Sequence, residues 1–121
     1  MIEYLKKRRA AFRFAGKGIR RLFREESHAK IHLLAAFCVI AAGFIWRVSP
    51  VEWCVLLSCI GGVFMAEGFN TAVEKLADRI TTERDPLIGA AKDIAAGAVL
   101  LFVIASVAIG LIIFIPKFLP S

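Results

Sequence analysis

The chain has 121 residues, room for about one domain. Fifty-nine per cent are hydrophobic, 21% are charged, and mean hydropathy is +0.71. A small domain keeps much of its surface exposed and cannot hide that apolar load from water. The same composition excludes a disordered chain, a collagen-like fibre and a disulfide-stapled scaffold, and lipid is the expected solvent.

The net charge of +6 is concentrated at one end. Residues 1–30 hold ten Lys/Arg against Glu3, Glu25 and Glu26, whereas the remainder holds six basic and seven acidic side chains. A basic block seeks nucleic acid or an anionic membrane surface. The apolar sequence downstream selects the membrane, with no nucleic-acid partner expected. No apolar stretch follows within the first 28 residues, so the block is not read as a secretory signal. Cys38, Cys54 and Cys59 lie in apolar runs without a C-x-x-C pair and read as small buried hydrophobes.

Residues 4–26 are predicted as a helix lying in the membrane interface. Phe12, Ala15, Gly16, Ile19, Leu22 and Phe23 recur at helical spacing, with Arg13, Lys17, Arg20, Arg21 and Arg24 on other faces. That pattern buries one side in acyl chain and offers cations to anionic lipid. A first transmembrane helix is predicted over 29–47, apolar from Ile31 to Trp46 except for His32, with Trp46-Arg47 as its interfacial end. Ser49-Pro50 marks a turn, with proline at the next helix start. A second helix follows over 51–80, its last third polar on one side. Asp85-Pro86 reads as an N-cap followed by proline at the first helical position. It opens a third transmembrane helix over 86–116, which contains the uncharged run Ile94–Ile115 and closes at Pro116-Lys117. The expectation is an all-α membrane protein of one domain, 1–121, with a surface helix and three spans. With the N-terminus inside, fourteen basic residues lie on the cytoplasmic side and only Arg47 and Lys117 outside, a strong positive-inside bias.

The chemistry is expected on the second span. Glu67, Asn70, Glu74 and Asp78 are spaced 3, 4 and 4 apart, which at about 100° per residue confines them to an arc of about 80°. A carboxylate at mid-bilayer costs at least about 2.5–3.5 kcal/mol, so such groups face a cavity or a partner. Glu74 and Asp78, one turn apart, also repel each other. A divalent cation relieves both problems, and Mg²⁺ favours carboxylates together with phosphate oxygens and water. Interhelical polar glue would need only one or two such groups. Lys92 and Asp93 enter the third span near the height of Glu74 and Asp78, where a lysine is placed to meet phosphate or to snorkel. His28 and His32 are four apart, but with no third ligand nearby they read as interfacial or packing side chains. Neither a phosphate-binding loop, a kinase glycine-rich loop nor a nucleophile elbow occurs. Nucleotide chemistry here has to be built from acids, a metal and a lysine.

The stretch Ala66-Glu67-Gly68-Phe69-Asn70-Thr71-Ala72-Val73-Glu74 with Asp78, and Ala91-Lys92-Asp93-Ile94-Ala95-Ala96-Gly97-Ala98-Val99 downstream, resembles the prokaryotic diacylglycerol kinase family. The resemblance spans nearly the whole chain and includes Lys17-Gly18-Ile19-Arg20 and a Glu26 before the first span. It implies a homotrimeric inner-membrane lipid kinase with sites at the cytoplasmic boundary between subunits, using Mg²⁺ and ATP on a membrane lipid alcohol. By the same resemblance Glu67 is the general base, Glu26 and Glu74 hold the metal, Asn70 orients the reacting groups and Lys92 contacts phosphate. Asp78, Asp93 and Glu83 support the nucleotide. The family's phosphate-contacting basic residue in the surface helix aligns with Ala10, between Arg9 and Arg13. Residues 91–100 and the Glu26 to His32 spacing look more like undecaprenol kinases than the enterobacterial diacylglycerol enzyme. From the residues alone two other classes stay open, a small membrane transporter and a non-enzymatic membrane assembly protein.

Overall fold

The computed structural model describes residues 1–119 as four helices: α1 (Ile2–Glu25), α2 (Ser27–Ile45), α3 (Pro50–Ile80) and α4 (Pro86–Phe118). The last three are long and apolar enough to cross a membrane. At about 1.5 Å per residue the 31 residues of α3 extend for about 46 Å, well beyond the ~30 Å hydrocarbon core. Its polar third therefore has length to emerge on one side.

The helix ends follow from local chemistry. Glu26 alone separates α1 from α2, in an extended conformation (φ −99°, ψ 117°) with its N–H donating to the Leu22 carbonyl. α2 ends at Ile45, and two residues on Arg47 takes a left-handed φ of 51°. The Val48 N–H reaches back to the Gly43 carbonyl at 3.0 Å, the bond pattern of a Schellman close with arginine where glycine is usual. α3 opens on a capping box: the Ser49 hydroxyl accepts from the Glu52 N–H while Glu52 accepts from the Ser49 N–H, with Pro50 in the first turn. Asp85 caps α4 by accepting from the N–H groups of Leu87 and Ile88, and Pro86 follows.

α4 differs from expectation at its far end. Pro116 lies inside the helix, which continues to Phe118. A proline in the last turn deprives only one carbonyl of its donor. That turn is held from outside, by Lys117 Nζ donating to both Glu52 oxygens at 3.1 Å and by the Phe118 ring 4.4 Å from Trp46.

α3 and α4 form an antiparallel hairpin packed along its length, α2 lies on α3 over a shorter stretch, and α1 touches both α2 and α3. The core near the Lys117 end consists of Val48, Leu56 and Ile113, flanked by Val39, Trp53, Ile109 and Phe114. At the opposite end Phe23 of α1 meets Phe64 of α3 edge-on at 5.1 Å. α3 carries its buried side chains (Leu56, Val63, Glu67, Thr71, Ala77) within about 120° of arc. The polar stripe lies on this same inward face.

Candidate functional site

The stripe forms a gradient from water to interior. Asp78 is exposed, Glu74 and Asn70 are half-buried, and Glu67 is 3% exposed. Asp78 is bonded to Lys92 of α4, which fixes the hairpin register and puts the lysine at the height expected of it. Asn70 Nδ2 donates to Glu74 Oε1 at 3.2 Å, one turn along the helix, while Asn70 Oδ1 is buried without a partner. Thr71 Oγ1, beside the stripe, is likewise buried and unpartnered. Two orphaned acceptors against an acidic stripe leave this part of the fold with unspent hydrogen-bonding capacity, as does the buried Ser106 hydroxyl on α4.

Glu67 is bonded across to α2, its Oε1 lying 3.1 Å from His32 Nε2. To the reading of His32 as an interfacial or packing side chain this adds a specific hydrogen-bonded partner. Its partner is 35 residues away, and helical spacing carries no signal of that contact. An isolated carboxylate at this depth would bear most of its desolvation cost alone, and the imidazole offsets part of it. His28, one turn before His32, is exposed.

The two neighbouring acids of the α1–α2 junction have different environments. Glu25 accepts from Lys75 Nζ at 2.8 Å and lies 3.4 Å from Arg21. The Lys75 hydrogen bond, with the nearby positive charges, holds its carboxyl below the ordinary range. Glu26 is half-buried and, like Glu74, has no basic side chain within ion-pairing distance among the described residues. Glu83 lies exposed in the α3–α4 loop, its N–H donating to Thr81 Oγ1, and Asp93 is exposed on α4. No three His, Cys, Asp or Glu side chains converge on a common metal position among the described residues. The stripe itself offers the Glu74 carboxylate and the amide oxygen of Asn70 that has no partner, and Glu26 is a further carboxylate at the α1–α2 junction. They are hard donors of the kind Mg²⁺ takes when phosphate and water complete its shell.

Above Glu67 the site opens into an apolar groove of about 450 Å³ between α2 and α4, with α3 as its floor. His32 lies at one end and Phe114 and Phe118 at the other, with Ala36, Val39 and Val63 between. His32 thus joins the acidic stripe, through Glu67, to the apolar groove.

Known proteins are similar to this chain in sequence. Residues 13–114 match the prokaryotic diacylglycerol kinase family. The chain is 45% identical over 107 residues to the undecaprenol kinase of Bacillus subtilis, covering 88% of this chain and 87% of that protein. It is 34% identical over 112 residues to the diacylglycerol kinase of Synechocystis, covering 90% of this chain and 63% of that relative. To the diacylglycerol kinase of Escherichia coli it is 34% identical over 85 residues, 70% of this chain and 65% of the relative. A family match through all four helices, with a relative matched over most of both lengths, settles the assignment: the chain belongs to the prokaryotic diacylglycerol kinase family and is a lipid kinase.

Proposed function

We propose that this chain moves the γ-phosphate of MgATP onto the hydroxyl of a membrane lipid alcohol at the cytoplasmic boundary of the bacterial inner membrane. We propose also that it works as a homotrimer with its N-terminus in the cytoplasm. The observation that carries the reading is the gradient along α3, from exposed Asp78 to Glu67 buried beside an apolar groove. ATP arrives from water and the lipid from the side, and only a boundary site receives both.

Phosphoryl transfer asks a protein for in-line positioning and charge neutralisation rather than covalent help. In this reading Glu67 takes the proton of the attacking hydroxyl, as a carboxylate shielded from water can. Glu26 and Glu74 hold Mg²⁺, which neutralises developing phosphate charge when bound. Asn70 keeps Glu74 in place through its amide nitrogen and offers its free oxygen to the reacting groups. Lys92 is held by Asp78 and turns its ammonium to phosphate when the nucleotide enters, leaving Asp78, with Asp93 and Glu83, to the nucleotide side. The surface helix α1 lies in the interface with its cations toward anionic headgroups. Undecaprenol is the first acceptor to test, since the undecaprenol kinase relative is matched over more of its length than the diacylglycerol kinases quoted above.

The test is phosphate transfer from labelled ATP by purified protein in mixed micelles, with undecaprenol and diacylglycerol offered separately. Label in undecaprenol is the expected result, and label in diacylglycerol alone moves the acceptor. Label in neither overturns the acceptor class proposed.

A further inference from the structure

We infer that His32 is a positioning residue of the transfer step: it holds the Glu67 carboxylate by one oxygen so that the other meets the lipid hydroxyl. This rests on the reading of Glu67 as the base.

Three observations converge on it. Glu67 is 3% exposed and, among the described residues, its hydrogen bonding comes from His32 alone. A glutamate has three side-chain torsions, and without that bond nothing polar in the chain fixes which way its oxygens point. The bond itself is specific: Nε2 lies 3.1 Å from Oε1, so toward an ionised carboxylate the imidazole carries its proton on Nε2 and donates it. Finally, His32 also lines the apolar groove between α2 and α4. The same imidazole therefore touches the carboxylate and borders the space through which an acceptor approaches from the bilayer. The other titratable groups along that groove are the thiols of Cys38 and Cys59, and among the described residues no other charged side chain bonds to the pair.

The chemistry balances without any change of charge on His32. The lipid oxygen forms its bond to the γ-phosphorus as the bond from that phosphorus to the β-bridging oxygen breaks. ADP leaves with the electron pair. The hydroxyl proton passes to the Glu67 oxygen that His32 does not occupy. The imidazole keeps its own proton throughout, and its partner changes from carboxylate to carboxylic acid.

The experiment compares His32→Leu, His32→Gln and His32→Asn in mixed micelles with undecaprenol and MgATP, each checked for folding by thermal denaturation. A displacement of about 1 Å at a reacting group costs about 100-fold, so His32→Leu is expected to lower kcat by about 10- to 100-fold. KM for MgATP should stay within about twofold, since uniform nucleotide binding is untouched. Gln, whose amide nitrogen reaches about as far as Nε2, should recover kcat to within about fivefold, and Asn, one methylene shorter, should not. If the leucine variant does not fold, the Gln–Asn contrast alone decides. His32→Leu added to Glu67→Gln should cost nothing further, because a positioning residue acts only through its partner. Wild-type kcat in His32→Leu, or equal losses with Gln and Asn, overturns the proposal while an inactive Glu67→Gln leaves the base reading standing. Near-normal turnover by Glu67→Gln instead removes the base reading, and this proposal with it.

Discussion

Glu25 and Glu26 are adjacent in sequence and opposite in circumstance. The first is neutralised by Lys75 and Arg21, while the second, like Glu74, is half-buried with no basic side chain at ion-pairing distance among the described residues. In the proposed function these two acids are the ones that take the metal. Glu74→Ala removes one of the two proposed ligands. Since loss of even an outer-shell partner typically costs about 10- to 100-fold in metal affinity, the Mg²⁺ concentration for half-maximal turnover should rise by about tenfold or more. A titration superimposable on wild type would strip Glu74 of that role. Most of this site is visible in the sequence, because Glu67, Asn70, Glu74 and Asp78 declare a common face through their spacing alone. The bonds from His32 to Glu67 and from Lys75 to Glu25 are not visible there. They join residues 35 and 50 apart, and only the packing of α1 and α2 on α3 creates them.

At the scale of elements, the helix starts were legible because Ser49-Pro50 and Asp85-Pro86 are local signals acting within a turn. The ends were less so. α4 passes Pro116 because Glu52 and Trp46, far off in sequence, hold its last turn. α2 closes through Arg47 with no glycine to announce it. How closely α2 approaches α3 is set by Gly43, where an added Cβ would lie 2.5 Å from the Trp53 ring. That ring is itself packed on the Val48–Leu56–Ile113 core and stands 4.9 Å from Phe44, so it has little freedom to yield. Gly43→Leu should therefore destabilise the folded protein by about 1–3 kcal/mol, the usual cost of overpacking, read as an earlier unfolding midpoint in detergent. Unchanged unfolding would mean that the two helices separate freely. α1 is tied to α3 through Glu25 and Lys75, and here the dependence is on pH. The folded carboxyl titrates below its unfolded value of about 4.3, so the tie is complete above that value and is lost as pH falls through the lower, folded one. Limited proteolysis should cut α1 faster in Glu25→Gln than in wild type at neutral pH, and the difference should vanish in acid. Equal cleavage at neutral pH would show that the pair does not hold the helix.

For the whole molecule, the decisive quantity is how much apolar surface the chain leaves uncovered. Phe44, Ile94 and Leu101 are each more than 70% exposed, on helices whose length suits a bilayer. In water that would be a folding failure, whereas in lipid it is the ordinary outer face of a span. The hairpin of α3 and α4 then fixes topology, for the α3–α4 loop with Arg84 and the α2–α3 turn with Arg47 must lie on opposite sides. Basic residues cluster with the first of these, beside Asp78 and Lys92 and on the side of the α1–α2 junction, a bias that supports the proposed cytoplasmic placement of this end. The proposed nucleotide site asks for the same side, since ATP is available only in the cytoplasm. With Cys38, Cys54 and Cys59 replaced by alanine, Thr82→Cys should resist a membrane-impermeant maleimide in intact spheroplasts and react once they are permeabilised. Arg47→Cys should react in both. The reverse pattern would leave the acidic stripe facing away from its phosphate donor, and no assignment of Glu74, Asp78 or Lys92 to MgATP would survive it.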